Sequence, residues 1–171
     1  ALAYARAGAA SAATLLLDEL FPLLETLTPT TLNQSASVEL AGAAVWELRQ
    51  RSYADRCRKL ALALVDAGTG DYVTGSQALT VARMASLLEN RAGAAEWFAR
   101  ARAQLQADGR RPLCAIALVD EAAAALTAGA SVPVSELREG RDLAAELGMT
   151  PWVRQAAALL EQAERTLPAG L

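Results

Sequence analysis

The chain's 171 residues include no histidine. The side chains that we consider for chemistry are therefore its carboxylates, its arginines and its two cysteines. This composition excludes histidine acid–base catalysis and histidine metal sites. Adjacent carboxylates occur at Asp18/Glu19 and Asp120/Glu121. Neighbouring positions on a helix point about 100° apart and do not share a site. We therefore interpret them as surface charges, and we predict that the chain is not an enzyme and has no catalytic residue, cofactor or metal.

Three residues near one predicted helix end form the best candidate contact with a partner. Trp46, Arg49 and Tyr53 lie close together in the sequence, and aromatic and arginine side chains are enriched at protein interfaces. Packing in the core or between repeats is the default interpretation of the tryptophan, and a partner contact is its alternative. In an array of helix pairs the first helix of each pair lines the concave, binding face. That face would add Arg83, Asp120 and Glu121 as polar contacts.

Asp120 is singled out further because it occupies the position that matches the small Ala82 one helix pair earlier. A carboxylate at an inward-facing position has to be paired with an arginine or exposed in a groove. Arg110 and Arg111 come just before a helix start, and they either meet an acidic partner or belong to a solvated loop.

The cysteines and the glycine-rich segment each have a simple structural interpretation. Cys57 and Cys114 lie in predicted helices without a CxxC spacing, which favours buried reduced thiols, with a disulfide as the alternative. The segment from Gly68 to Ser76 has glycines and a hydroxyl but no lysine to reach a phosphate, and Asp71 would repel an anion. We interpret it as a turn between repeats.

The element pattern indicates one all-α domain. Ala and Leu dominate a chain that is 53% hydrophobic and only 5% aromatic, and these two residues are the best helix formers. A small–large–small signature at Ala94, Phe98 and Ala101 recurs at one constant shift as Pro133, Leu137 and Gly140. A repeat of this spacing is typical of stacked helix pairs. The preceding helices match at a shift that is shorter by one position, as Val81 to Val119, Ala85 to Ala123 and Leu88 to Leu126.

We predict about nine helices in an α-α solenoid, with the first helix truncated. Its pairs are tetratricopeptide-like, since the helix with Ala94, Phe98 and Ala101 resembles the second helix of a tetratricopeptide repeat. Capping residues and glycines place the ends of the helices, whereas residues 28–37 are rich in turn formers and predict the longest loop. Asp71 or Thr74 is expected to cap the fifth helix. The predicted pairs cover residues 1–27, 38–67, 72–106 and 112–147, and a capping helix covers 151–167.

Two stretches resemble a known class of proteins. Residues 75–126, GSQALTVARMASLLENRAGAAEWFARARAQLQADGRRPLCAIALVDEAAAAL, and residues 137–162, LREGRDLAAELGMTPWVRQAAALLEQ, are similar to the C-terminal helical repeats of large bacterial transcriptional regulators. In those proteins a P-loop ATPase is joined to tetratricopeptide-like repeats, and some members add a LuxR-type DNA-binding domain. The final LPAGL is similar to the linker before such a domain. Neither the ATPase motif nor the helix-turn-helix occurs within these 171 residues.

The resemblance implies the effector- or protein-binding arm of a cytoplasmic bacterial regulator that signals to an ATPase and a DNA-binding domain elsewhere. The alternative is a static adaptor that holds a peptide or partner protein without switching. A net charge of −3 with interspersed signs argues against direct nucleic-acid contact, and no run of apolar residues is long enough for a membrane span. The chain begins inside a helical pattern, so we expect a fragment whose exposed solenoid ends could self-associate.

Overall fold

The fold, in a computed structural model, is all-α, as the composition and the repeat pattern predict. The structure describes residues 1–29, 31–72 and 75–166, and within these ranges nine helices and no strands are present. The expected Thr74 cap, the final turn at residues 168–170 and the LPAGL ending lie outside the described residues. The helices are α1 (Leu2–Arg6), α2 (Ala10–Thr26), α3 (Leu32–Glu47), α4 (Arg51–Asp66), α5 (Gln77–Leu87), α6 (Arg91–Ala107), α7 (Arg111–Thr127), α8 (Val134–Glu146) and α9 (Thr150–Thr166).

The helices group into two compact units, and the boundary between them falls within α6, after Trp97. In the first unit each of α1 to α4 packs against the next helix, and contacts also join α1 to α3, α3 to α5 and α2 to α4. In the second unit α7, α8 and α9 all pack on one another. Contact with the next helix and the next but one is the pattern of a helical repeat array.

The first unit has an internal repeat that relates α2 to α4 and α3 to α5. The buried positions of α2 are Ala13, Leu17, Phe21 and Leu24, and at one constant shift they become the buried Tyr53, Cys57, Ala61 and Leu64 of α4. The ends of α3 and α5 repeat at the same shift, because Arg49 and Glu89 both adopt the left-handed conformation, with φ of 53° and 62°. These two helices therefore end in a conformation that glycine usually supplies.

The small–large–small signature lies in the interior. Phe98, Ala101 and Leu137 are all almost fully buried. Gly140 is where α8 approaches α7 closely, since a Cβ placed there would lie 2.8 Å from Leu118 Cβ. The second unit closes around a cluster of Val119, Ala122, Leu137, Ala156 and Leu160, with Trp152 packed against it. The recurring positions are thus the packing framework.

The sequence prediction of a loop over residues 28–37 is wrong for its second half. Helix α3 begins at Leu32, where the hydroxyl of Thr31 accepts a hydrogen bond from the Gln34 amide at 3.2 Å. Two of the polar residues that suggested a loop, Gln34 and Ser35, are buried instead. The Gln34 side chain donates to the carbonyls of Leu24 and Leu27, and Ser35 Oγ donates to the Gly70 carbonyl at 3.0 Å.

Helix α5 starts later than the sequence predicted, at Gln77 and not near residue 72. Ser76 is its N-cap, and its hydroxyl accepts from the Leu79 amide, while Asp71 Oδ1 accepts from the Gln77 amide at 2.8 Å. Asp71 therefore does contribute to the start of the helix, as expected. The two side chains satisfy amide groups that a helix otherwise leaves without partners.

Candidate interaction surface

The structure brings together two of the three residues predicted near the end of α3. Trp46 is only 3% exposed, and the Arg49 guanidinium lies over its ring at 3.8 Å from the ring centroid. Arg49 itself is exposed. An arginine in this position gains a cation–π interaction with the indole. Trp46 is thus a core residue covered by Arg49, and the pair presents the arginine and not the indole to solvent.

Tyr53, the third residue, lies instead in the contact between α2 and α4. Its hydroxyl donates to Asp18 Oδ1 at 2.5 Å, and its ring stacks on Phe21 with centroids 5.3 Å apart. This hydrogen bond, together with burial, raises the pKa of Tyr53. Nearby on α4, Arg56 donates to both carboxylate oxygens of Glu25 at 2.6 and 2.8 Å. These contacts join the two helices side by side.

Arg83 and Asp120 are both buried, which removes them from a solvent-facing binding surface. Arg83 lies in α5, and its charge acts on the thiol of Cys57. Burial outweighs that charge and raises the pKa of Cys57 to about 12, so the thiol is unreactive at neutral pH. Asp120 in α7 is completely buried, and it has an interaction partner there. Both cysteines are free thiols, as the sequence favours, but only Cys57 is buried, whereas Cys114 is partly exposed.

Glu121 forms an ion pair inside the second unit. Its Oε2 lies 3.2 Å from Arg102 Nε, and both side chains are mostly covered. Burial raises the pKa of Glu121 and the nearby Glu136 adds to this, although the Arg102 charge opposes it. Two arginines at the start of α7 were candidates for an acidic partner. One of them, Arg111, forms a surface ion pair in which its guanidinium nitrogen lies 2.5 Å from Glu146 Oε2. These charges are therefore matched within the unit itself.

A buried polar cluster in the first unit went unrecognised in the sequence. We call Ser35, Glu39 and Gln77 the Glu39 cluster: Gln77 Nε2 donates to Ser35 Oγ at 2.9 Å and to Glu39 Oε1 at 3.2 Å. The same carboxylate oxygen accepts from the Tyr72 amide at 2.9 Å. The cluster therefore anchors the connection between α4 and α5 to the inside of the unit. With the α5 amides capped, this connection acts as a turn between repeats.

Among the described residues, the exposed large hydrophobic side chains all lie in the first unit. Helix α2 has leucines on two faces, because Leu17 and Leu24 are buried whereas Leu16 and Leu23 are 37% and 64% exposed. We use the name leucine stripe for the exposed Leu16 and Leu23, the partly buried Leu20, which also packs against the core around Leu24, and Leu27 at the helix end. Spacings of three and four positions place its members on one side of the helix.

A groove continues from the stripe between α1, α2 and α3. It has a volume of about 500 Å³, and Leu2, Leu20 and Leu40 line it together with short side chains and Arg6. Leu40 is 41% exposed, and Arg6 is held by an ion pair with Glu47. Because exposed apolar surfaces are common at interaction sites, the stripe and the groove are the candidate surface of the first unit. The signal was present in the sequence, since a helix with leucines all round has a second face to cover.

The described residues contain neither a grouped set of metal ligands nor a membrane-spanning helix, and they form one further depression between α7 and α9. No group of three or more Cys, Asp or Glu side chains there is placed to hold a metal ion. None of the described helices is both long and apolar enough to cross a membrane. A second depression, of about 350 Å³, lies between α7 and α9 and is lined by Leu126, Thr127, Gln162 and Arg165.

Comparison with known proteins adds no identity. No known protein family matches this chain, and no curated protein or solved structure is significantly similar to it. The resemblance to the repeat arms of ATPase-linked regulators therefore depends on the residues quoted above.

Proposed function

We propose that this chain is a non-enzymatic helical-repeat module that binds a protein or effector, and that its binding surface is the leucine stripe with the adjoining groove. The observation that carries the proposal is the second apolar face of α2. Leu23 alone is 64% exposed, and Leu16 and Leu27 extend the surface. Covering one such side chain stabilises a complex by up to about 1.5–3 kcal/mol, which favours a partner over solvent.

The finer proposal is that the module is the sensing arm of a bacterial transcriptional regulator. Its support is the resemblance of residues 75–126 and 137–162 to such arms, and the repeat packing of the two units is compatible with it. Helix pairs that touch mainly their neighbours can change their packing when a partner binds one of them. A bound partner would in this way bias an attached ATPase and DNA-binding domain.

In-cell crosslinking tests the proposal. A photoreactive amino acid replaces Leu23 in the chain expressed in its native host, and a second variant has the same group at Ala158, an exposed position of α9. We expect a discrete adduct from position 23 and none from position 158. An adducted chain with a P-loop or a helix-turn-helix would support the regulator. The absence of a discrete adduct at position 23, or the same adducts at both positions, would contradict partner binding at the stripe.

A further inference from the structure

The α2–α4 contact indicates what covers the leucine stripe. At the shift that relates the buried positions of the two helices, Leu16 corresponds to Arg56. Arg56 lies against α2, with its guanidinium 5.1 Å from the Phe21 ring centroid and paired with Glu25. The side of α4 that meets a helix is therefore the side of α2 that has the stripe. By the repeat relation, the stripe is shaped to receive another helix.

The charges of α2 indicate which kind of partner helix would fit the leucine stripe. Residues 10–26 contain Asp18, Glu19 and Glu25 but no basic residue. Asp18 and Glu25 point to α4, whereas Glu19 is exposed and lies about 40° round the helix from Leu23. At the position that matches Glu19, α4 has Lys59. On the α2 side an incoming helix thus meets leucines and a negative charge, and Arg6 of the adjoining groove is already paired with Glu47. Helix α2, in contrast, meets the basic side of α4.

We infer that the leucine stripe binds an amphipathic helix of a partner protein, whose apolar side is flanked by arginine or lysine. A second copy of this chain fits less well, because α2 against α2 would bring together two acidic helices that have no basic residue. Apolar side chains in 3–4 spacing supply the affinity, and the basic flank fixes orientation and partner choice. The inference rests on the proposed function and adds to it the chemical class of the partner.

A pair of synthetic peptides tests this inference. Each forms a helix of five turns with leucine at the first and fourth positions of every heptad, flanked in one peptide by arginine and in the other by glutamate. Fluorescence anisotropy at physiological ionic strength measures the binding of each to the whole chain. We expect the arginine peptide to bind at least tenfold more tightly than the glutamate peptide. Equal affinity of the two peptides would overturn the charge argument.

Matched variants of α2 locate the binding. Leu16→Ser with Leu23→Ser should weaken binding of the arginine peptide at least tenfold. Leu15→Ser is the control, since Leu15 is 61% exposed on the same helix but lies about 80° round from Leu23. It should leave affinity unchanged, and circular dichroism confirms that the parent chain and both variants are folded. An equal loss with Leu15→Ser would overturn the assignment of the site.

Two further outcomes separate this inference from the proposed function. If sedimentation shows a dimer that the Leu16→Ser/Leu23→Ser variant disperses, and the arginine peptide does not bind, a second copy covers the stripe and the inference is wrong. If position 23 crosslinks to a partner but the arginine peptide does not bind, the proposed function stands, and the inference of a partner helix with a basic flank is wrong.

Discussion

The two units differ in how many polar side chains they bury and in how many large apolar side chains they expose. Among the described residues, the first unit buries seven polar or charged side chains, and the second buries only Asp120. The exposed large hydrophobic side chains of the described ranges all belong to the first unit. The second unit thus follows the ordinary rule of apolar residues inside, whereas the first departs from it on both sides.

The buried polar side chains and the exposed leucines of the first unit have different explanations. Buried polar groups are tolerated when they are hydrogen-bonded, and in the first unit the Glu39 cluster uses them to hold the α4–α5 connection. Exposed leucines, in contrast, contribute little to the stability of the unit that exposes them. We propose that a partner covers them, which is why the binding surface is assigned to the first unit and not to the second.

The largest expected effect contrasts a core leucine with a stripe leucine. Leu137→Ala should destabilise the chain by about 2–5 kcal/mol, because Leu137 is fully buried and truncation leaves a cavity. Leu23→Ala should change stability by no more than about 0.5 kcal/mol, as for other surface sites. Urea unfolding of both variants measures the difference. A large loss with Leu23→Ala would show that the stripe is part of the folded core.

Gln77→Ala tests the polar interior of the first unit. The change removes the amide that donates to both Ser35 Oγ and Glu39 Oε1, and we expect a loss of about 1–3 kcal/mol in the free energy of unfolding. Gln106→Ala is the control, since Gln106 is exposed on α6. Hydrogen exchange at the Tyr72 amide should quicken only in the Gln77 variant. Unchanged stability and exchange would mean that the cluster does not hold the connection.

The smallest effect is a difference in pH dependence between the two Arg–Glu pairs. Burial raises the pKa of Glu121 above its ordinary value of 4.5, so its contribution to stability is present at low pH and lost as the pH rises through the folded-state pKa. The hydrogen bond from Arg56 lowers the pKa of Glu25, so its contribution is present above pH 4.5 and lost as the pH falls through the folded-state pKa.

Glu121→Gln and Glu25→Gln should therefore have opposite effects on the pH profile. Relative to the Gln variant, the parent chain should lose stability with rising pH at position 121 and gain it at position 25. Denaturant unfolding across the acidic range up to neutral pH measures both. The position 25 effect should be the weaker one, since its pair is exposed to solvent and screened. Slopes of the same sign would contradict the contrast between the buried and the exposed pair.

The sequence predicted the repeat framework well because packing leaves a periodic record. The equivalence of Val81 with Val119 and of Phe98 with Leu137 is confirmed by their burial. The start of α3 was misplaced because buried Gln34 and Ser35 look like loop residues until their partners are known. Those partners lie far away along the chain, as for Ser35 and Gln77, and local patterns contain no information on such distances.

The candidate site was predicted less well, for the same reason. Of the six proposed contact residues, Trp46 and Tyr53 are packed inside, and Arg83 and Asp120 are buried. Their residue types fit an interface as well as a core, and only tertiary packing distinguishes the two. The leucines of α2 did repeat at helical spacing in the sequence, but which of the two faces meets the core depends on how α3 and α4 pack against it.

Leucine methyl NMR with a soluble paramagnetic agent tests directly whether the leucine stripe is exposed in the free chain and covered by a bound helix. In the free chain, the methyl groups of Leu16 and Leu23 should be strongly broadened and those of Leu137 should not. On addition of the arginine-flanked peptide, Leu16 and Leu23 should become protected, while Leu15, about 80° round the helix from Leu23, stays accessible. Protection of Leu23 before the peptide is added, or unchanged accessibility of Leu16 and Leu23 after it, would contradict the assignment of the stripe as a helix-binding surface.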